Sequence, residues 1–151
     1  MRAVLQRVDT ACVSVDNRIV SMIGRGILVF LGIEKGDGPD DATCLLDKVI
    51  NLRIFEDAEG KMNLSLLDVS GQMLVISQFT LLADCRKGRR PSFTRAEEPG
   101  AARELYELFL AMGGERLGTA AGGEFQAMMK IDLINDGPVT FILESRIGVI
   151  Q

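Results

Sequence analysis

Four consecutive apolar residues, 73–76, are followed at once by a segment that mixes hydroxyl and amide groups with apolar side chains. An apolar run of this length suits a β-strand that is covered on both faces. Ser77, Gln78 and Thr80 then supply donors and acceptors that a sealed core would leave unsatisfied. The stretch 73–81 therefore predicts a buried strand with a polar end, a natural place for a site. The alternative is an ordinary strand end whose side chains bond to neighbouring backbone.

The chain is long enough for one domain with a substantial core. It has 151 residues, of which 47% are hydrophobic and 25% are charged, and no second domain is needed to account for them. We therefore expect a single domain over residues 1–151. The N-terminal stretch lacks the apolar segment of a signal peptide, and no window approaches the roughly 18 uninterrupted apolar residues of a membrane span. The expected location is the cytoplasm.

Histidine is absent from the chain. Ser-His-Asp and Cys-His catalytic groups are therefore excluded, as is any metal site that depends on His ligands. The three cysteines, Cys12, Cys44 and Cys85, are an odd number without a C-x-x-C pair, so neither a disulfide framework nor a zinc knuckle is indicated. We expect three buried thiols, no metal and no cofactor.

Basic residues are concentrated in one segment, although the net charge of -4 is not typical of a nucleic-acid-binding protein. Between Cys85 and Ala96 there is no acid, and five of the 17 basic residues lie there: Arg86, Lys87, Arg89, Arg90 and Arg95. Such a segment is a candidate for contacts with phosphate groups. A solvated loop without a special function is the alternative.

Hydrophobic spacing predicts a mixed α/β fold of roughly eight strands and two helices. Residues 2–33 show the alternation and turns of successive strands. The apolar face expected for a first helix consists of Ala42, Leu45, Leu46, Val49 and Ile50. A second helix is expected to begin near Pro99 and to end at Gly113-Gly114. Its expected apolar face consists of Ala101, Leu105, Leu108, Phe109 and Met112.

Shorter elements are expected between and after the helices. Residues 52–55 are predicted to form a strand, and residues 118–123 a flexible loop. Two further strands, at 129–133 and 139–143, are predicted to be separated by a turn at Asn135-Asp136-Gly137-Pro138.

Five motifs occur in order along the chain: QRV at 6–8, EDAEGKMNLSL at 56–66, SQFTL at 77–81, RPSF at 90–93 and NDGPVT at 135–140. In sequence, order and separation they resemble the D-aminoacyl-tRNA deacylase family, and the resemblance covers most of the chain. It implies a homodimer of single α/β domains with strongly twisted, barrel-like β-sheets and two covering helices. It also implies that the SQFTL and NDGPVT motifs build one pocket across the subunit interface.

The resemblance assigns roles to residues of both motifs. It implies that the catalytic segment consists of Ser77, Gln78, Phe79 and Thr80. Gly137 and Pro138 would be joined by a cis peptide bond and would enter the partner's pocket, where their carbonyl oxygens exclude an L side chain. Arg7 would hold this loop. From the residues alone, Gly137-Pro138 is an ordinary hairpin turn with a trans bond, and Arg7 is a charge on a strand surface.

The resemblance also implies a tRNA interface. Phe125 and Met129 lie at positions that hold the terminal adenine of tRNA, although their spacing alone is typical of core residues. The basic residues that would contact the RNA are Arg86, Lys87, Arg89 and Arg90. Aminoacyl-tRNA is then the expected substrate, and no membrane partner is expected.

The chemistry has to proceed without histidine. The Thr80 hydroxyl has no base to activate it, so a covalent acyl-enzyme is the second choice of mechanism. In the preferred mechanism, backbone N–H groups around Phe79 and Thr80 polarise the ester carbonyl, and the 2′-hydroxyl of the RNA positions water. The resemblance implies hydrolysis of D-aminoacyl-tRNA and of glycyl-tRNA. Two other functions stay open: a non-catalytic RNA-binding module and a small-molecule ester hydrolase.

Overall fold

Strand β1 (Arg2–Val15) is the centre of the fold, because three other strands pair with it. Strand β8 (Lys130–Arg146) runs antiparallel along one edge. The other edge is shared by β3 (Gly26–Gly32), which pairs with the first half of β1, and β2 (Arg18–Ile23), which pairs with the second half. The computed structural model describes all residues, Met1–Gln151.

The remaining elements are two helices, a short helical turn and five strands. They are α1 (Pro39–Asn51), β4 (Phe55–Glu56), β5 (Met62–Leu64), β6 (Gln72–Ser77), a 3-10 turn (Phe79–Leu82), α2 (Pro99–Leu117), β7 (Ala121–Gly122) and β9 (Val149–Ile150). The main sheet has the order β7-β6-β3-β1-β8-β9, and β4 and β5 form a separate pair. Strands β3, β6 and β7 are parallel to one another, and the other pairs are antiparallel.

The main sheet curls into a half-barrel. Strand β2 leaves the edge of β1 and also contacts β6 and β7, where the Ser21 hydroxyl donates to the Gly122 carbonyl at 2.6 Å. The buried apolar residues that fill the inside of the curl are Val8, Ala11, Val13, Ile23, Leu28, Leu74 and Ile76. The expected α/β fold with a strongly curved sheet and two helices is confirmed.

Both helices cover the opposite face of the sheet and form the larger core with it. Strand β6 contributes to both cores in alternation: Met73 and Val75 join the core under the helices, whereas Leu74 and Ile76 point into the curl. Each of these four side chains is at most 1% exposed. The predicted strand with two covered faces is therefore confirmed. The five residues expected on the apolar face of α1 are all buried as well.

The second helix differs from its prediction at its end and on its buried face. Gly113 and Gly114 do not stop it, and it continues to Leu117, after which Gly118 takes the left-handed conformation with φ of 79°. Gly113 is buried because the helix touches β6 there: a Cβ would lie 2.5 Å from the Met73 Cε atom. The fully buried residues are Tyr106, Phe109 and Gly113, whereas Ala101 is exposed.

Other local predictions are corrected. The turn predicted at 135–138 does not separate two strands, because β8 continues through it. Pairing with β1 is nevertheless interrupted between Asn135, opposite Val8, and Thr140, opposite Gln6, so residues 136–139 form a loop within the strand. The strand predicted at 52–55 is reduced to Phe55–Glu56, and the loop predicted at 118–123 contains β7. Cys85 is exposed, and Cys12 and Cys44 are only partly buried. Neither helix has the length and apolar content needed to cross a bilayer.

Candidate active site

An apolar groove of about 550 Å³ lies beside the C-terminal end of β6. Its lining brings together five of the residues that the sequence singled out: Ser77, Gln78, Phe79, Phe125 and Met129. One wall is the end of β6, and the other is the segment that follows β7. Glu97 is the only ionisable side chain in the lining, and its two carboxylate oxygens accept backbone N–H groups of Gly36 and Glu98.

The polar end of β6 turns sharply into the 3-10 turn. Pairing with β3 ends when the Gln78 N–H donates to the Leu31 carbonyl at 2.8 Å. The first N–H groups of a helical turn have no acceptor within it, and those of Phe79 and Thr80 are not used by neighbouring loops. Phe79 lines the groove, whereas Thr80 lies next to it and outside the lining. Backbone donors at the start of such a turn are suited to polarising a carbonyl oxygen.

The Thr80 hydroxyl is already engaged. The Gln78 side-chain amide donates to its oxygen, and the hydroxyl has no side-chain base among its hydrogen-bond partners. A nucleophilic hydroxyl needs such a base to remove its proton. The geometry thus supports a role for the backbone of this turn rather than for a covalent threonine intermediate.

The second wall carries Phe125 and Met129, both partly exposed. Arg103 lies on α2, and its guanidinium is 5.2 Å from the centre of the Phe125 ring. Tyr106, one turn further along α2, has its ring centre 5.8 Å from that of Phe125. Neither Arg103 nor Tyr106 was predicted from the sequence. Tyr106 is the only tyrosine in the chain, and a hydroxyl on an otherwise apolar helix face was the available signal.

Arg7 is not among the residues that line this groove and lies against the loop that contains Gly137. Its side chain is 4% exposed, and its Nε atom lies 2.9 Å from a carboxylate oxygen of Asp136. The same guanidinium donates to the Asp136 carbonyl at 3.2 Å and to the Ile54 carbonyl at 2.6 Å. Arg7 is therefore a buried clamp on the residue that precedes Gly137, and the interpretation as a strand-surface charge is wrong.

The peptide bond between Gly137 and Pro138 is cis. Both residues are exposed, and neither lines the groove of its own chain. Asn135 spans the loop by accepting the Val139 N–H at 2.8 Å and donating to its carbonyl at 3.4 Å. The Asn135 amide also donates to the Gln6 side chain. Asn135 thus supports the loop from within, a role that the sequence did not reveal.

A family model described as D-Tyr-tRNA(Tyr) deacylase matches residues 4–144 of the chain. The chain belongs to the D-Tyr-tRNA(Tyr) deacylase family. The D-aminoacyl-tRNA deacylase of Syntrophus aciditrophicus is 65% identical over 146 residues, which cover 97% of this chain and 98% of that protein. The D-aminoacyl-tRNA deacylase of Syntrophotalea carbinolica is 59% identical over 145 residues, with 96% and 97% coverage.

Two solved structures share the fold of this deacylase family member. One, named c-Myc DNA Unwinding Element Binding Protein, has a TM-score of 0.91 and 40% identity and covers 97% of this chain and 99% of its own. The other, described as a probable eukaryotic D-amino acid tRNA deacylase, has a TM-score of 0.79 over 93% of this chain and 97% of its own. Its 20% identity shows the fold alone.

The basic segment of this deacylase forms a closed loop beyond the 3-10 turn. Asp84 and Ser92 exchange two backbone hydrogen bonds at its base, of 2.8 and 3.0 Å. Phe93 then packs edge-to-face on Phe79, with ring centres 5.1 Å apart. The loop is thereby attached to the start of the 3-10 turn.

The five basic residues of this segment, four in the loop and Arg95 after it, are not equivalent. Arg86 pairs with Asp84 through two contacts of 2.9 and 2.6 Å, and this guanidinium holds the pKa of Asp84 well below its usual range. Arg95 pairs with Glu34 at 2.7 Å and lowers its pKa. The three whose charge no ion pair neutralises are Lys87, Arg89 and Arg90. These three form the accessible basic tip of the loop.

Proposed function

We propose that this protein hydrolyses the ester bond of D-aminoacyl-tRNA and releases the free amino acid and tRNA. Membership of the D-Tyr-tRNA(Tyr) deacylase family supports this function, as do relatives named D-aminoacyl-tRNA deacylase. The structural observation that carries it is the helical turn that begins at Phe79 beside an apolar groove, because the first N–H groups of such a turn have no acceptor within it. Such donors stabilise the negative charge that develops on an ester carbonyl oxygen during hydrolysis.

The proposed reaction needs no protein nucleophile. The aminoacyl ester is held with its carbonyl oxygen toward Phe79 and Thr80, and water attacks the carbonyl carbon. The 2′-hydroxyl of the terminal ribose positions this water, and so takes the orienting role that a histidine has in many other hydrolases. The hydroxyl of the tRNA terminus leaves with a proton, and the amino acid is released as a carboxylic acid. Each donor of this kind contributes on the order of 10² to 10³ in rate.

Chiral selection is proposed to come from a second copy of the chain. In that homodimer, the Gly137-Pro138 loop of one subunit enters the groove of the other, and its carbonyl oxygens occupy the space of an L side chain. Three features support this arrangement: both residues are exposed, neither lines its own groove, and Arg7 holds the loop rigid without a partner. Exclusion of this kind accepts D residues and also glycine, which has no side chain to reject.

The tRNA is proposed to contact two separate surfaces. Phe125 and Met129 hold the terminal adenine in the groove, since an aromatic ring and a thioether suit an adenine face. Lys87, Arg89 and Arg90 contact phosphate groups outside it. Because the whole protein has a net charge of -4, its binding to phosphate groups has to rely on this local cluster of basic residues.

A deacylation time course with tRNA that carries D-tyrosine, L-tyrosine or glycine tests the function. We expect fast loss of the D-tyrosyl and glycyl esters and no acceleration for the L-tyrosyl ester, which serves as the internal control. A protein that binds all three tRNAs without shortening the lifetime of any ester would be a non-catalytic RNA-binding module instead. Sedimentation at the assay concentration tests the dimer, and full activity from a strictly monomeric protein would contradict it.

A further inference from the structure

Tyr106 joins the two walls of the groove through one hydroxyl group. It is 3% exposed, and its hydroxyl donates to the Val75 carbonyl at 2.9 Å and accepts the Gly123 N–H at 3.0 Å. Val75 lies on β6 shortly before Ser77. Gly123 lies shortly before Phe125 on the other wall. The hydroxyl therefore sits where the two chain segments diverge to leave the groove between them.

The pairing of β6 with β7 is very short at this point. It comprises Leu74 with Ala121 and Val75 with Gly122, after which only the Gly123 N–H still reaches the Val75 carbonyl, at 3.1 Å. Beyond it, no ladder holds the segment that carries Phe125 and Met129. The Tyr106 hydroxyl bonds to both residues of this last contact, Val75 and Gly123.

Close packing leaves the tyrosine little freedom. A Cβ on Gly122 would lie 2.9 Å from the Tyr106 hydroxyl and 2.7 Å from a Leu110 methyl group. A Cβ on Gly123 would lie 2.5 Å from the Met129 sulfur. The two glycines thus allow the second wall to approach, and the Tyr106 ring supports Phe125 from behind at 5.8 Å.

We propose that Tyr106 is a positioning residue that sets the width of the groove and so determines how tightly the terminal adenosine of the substrate is bound. It contacts no substrate itself and acts through Gly123 on Phe125 and Met129. The inference rests on the proposed function for its kinetic test. A role in filling the core alone would need only the ring, because phenylalanine has nearly the same shape.

The kinetic test uses Tyr106→Phe, with D-tyrosyl-tRNA and with the minimal substrate 3′-O-D-tyrosyl adenosine. We expect KM to rise about tenfold for both substrates while kcat stays within about twofold, since ground-state and transition-state binding weaken together. Phe109→Leu is the matched control: Phe109 is the nearby fully buried aromatic residue of α2 and has no hydrogen-bonding group. That variant should lose stability without a change in KM. An unchanged KM in folded Tyr106→Phe would overturn the proposal.

Hydrogen exchange gives a readout that does not depend on catalysis. In Tyr106→Phe, amides of residues 121–129 should exchange faster than in the unmodified protein, while those of α1 keep their rates. Equal exchange in residues 121–129 would overturn the positioning role even in an active enzyme. If the unmodified protein hydrolyses no ester, the proposed function is refuted. Faster exchange of residues 121–129 in Tyr106→Phe would still show that Tyr106 positions this wall.

Discussion

Arg7 and Asp136 form an ion pair that is almost closed to solvent on the arginine side, with 2.9 Å between the Nε atom and a carboxylate oxygen. The guanidinium also donates to two backbone carbonyls, of Asp136 and Ile54. One side chain thus ties β1 to the loop of Gly137 and to the chain just before β4. The loop is held by these contacts within a single subunit, which would lower the ordering cost of its insertion into a partner in the proposed dimer.

Arg7→Ala should lower the free energy of unfolding by about 3 kcal/mol, because it leaves Asp136 and the Ile54 carbonyl without their donor. It should also abolish D-tyrosyl-tRNA hydrolysis, since the loop loses its clamp. Chemical denaturation measures the first effect. Arg53→Ala, a change at an exposed arginine, is the control and should alter the unfolding free energy by no more than about 0.5 kcal/mol. A loss below about 1 kcal/mol for Arg7→Ala would contradict the clamp.

The double change Arg89→Ala and Arg90→Ala should weaken tRNA binding and make it less sensitive to salt. Each phosphate contact contributes about 0.7 to 0.9 to the slope of log affinity against log salt, so the slope should become smaller by between about 1 and 2. Filter binding over a range of salt concentrations measures it. Lys48→Ala with Arg53→Ala removes the same charge from exposed positions outside the loop and should leave the slope unchanged. Equal slopes for both double variants would place the RNA elsewhere.

The phenol of Tyr106 should lose its proton only at a pH above the usual range for tyrosine. Burial raises its pKa to about 12, because the phenolate would lose its water. The neutral phenol is the form favoured by the fold, so its contribution to stability is complete below the unfolded pKa of about 10 and is lost as the pH rises through 12. With one tyrosine and no tryptophan in the chain, phenolate absorbance reports this group alone. A midpoint near 10 in both folded and urea-unfolded protein would contradict its burial.

Gly137→Ala should destabilise the protein more than Gly60→Ala does. Gly137 has φ of 131°, and a Cβ there would lie 2.5 Å from a Val139 methyl carbon and 2.9 Å from the Val139 nitrogen. Gly60 has a positive φ of 74° but no atom within 4 Å of such a Cβ. Backbone strain at the positive φ should lower the free energy of unfolding by about 1 kcal/mol at Gly60. At Gly137, the same strain together with steric overlap of the new Cβ should lower it by about 3 kcal/mol. If both variants lose the same free energy of unfolding in denaturation experiments, the loop of Gly137 can rearrange to accommodate the methyl group.

Thr80→Ala should retain activity within about tenfold of the unmodified enzyme. In the proposed mechanism the 2′-hydroxyl of the RNA positions the water, and the Thr80 hydroxyl only accepts a hydrogen bond from Gln78. Loss of a true nucleophile costs on the order of 10⁴ or more. Single-turnover kinetics with D-tyrosyl-tRNA measures the change, and Thr80→Ser is the control that keeps the hydroxyl. An acyl group trapped on Thr80 would establish the covalent route instead.

The elements with regular apolar spacing were predictable from the sequence. Strand β6 and helix α1 have their predicted buried residues because each pattern matches the period of the element. The motif residues Ser77, Gln78 and Phe79 also lie in one groove with Phe125 and Met129, as the family resemblance implies. Roles for these residues stay predictions until the assays above are done.

Predictions failed where tertiary contacts decide the local structure. Gly113 is typical of a helix end, but here it allows α2 to touch Met73, so the helix continues. The Asn135-to-Pro138 stretch has turn residues, yet pairing with β1 resumes at Thr140, so the resulting loop interrupts β8 and does not divide it into two strands. The neutralisation of Arg86 by Asp84 was missed although the two are close in sequence, because charge counts do not show which side chains pair.

Strand β8 begins directly after Met129, which lines the groove of its own subunit, and further along it carries Gly137 and Pro138. In the proposed dimer these two residues serve the groove of the other subunit, so one continuous strand links both reaction sites. A shift of Met129 on adenosine binding would travel along β8, which is paired with β1 as far as Asn135, to the neighbouring Gly137-Pro138 loop. The enzyme is then expected to show cooperativity, with occupancy of one site changing the affinity of the other.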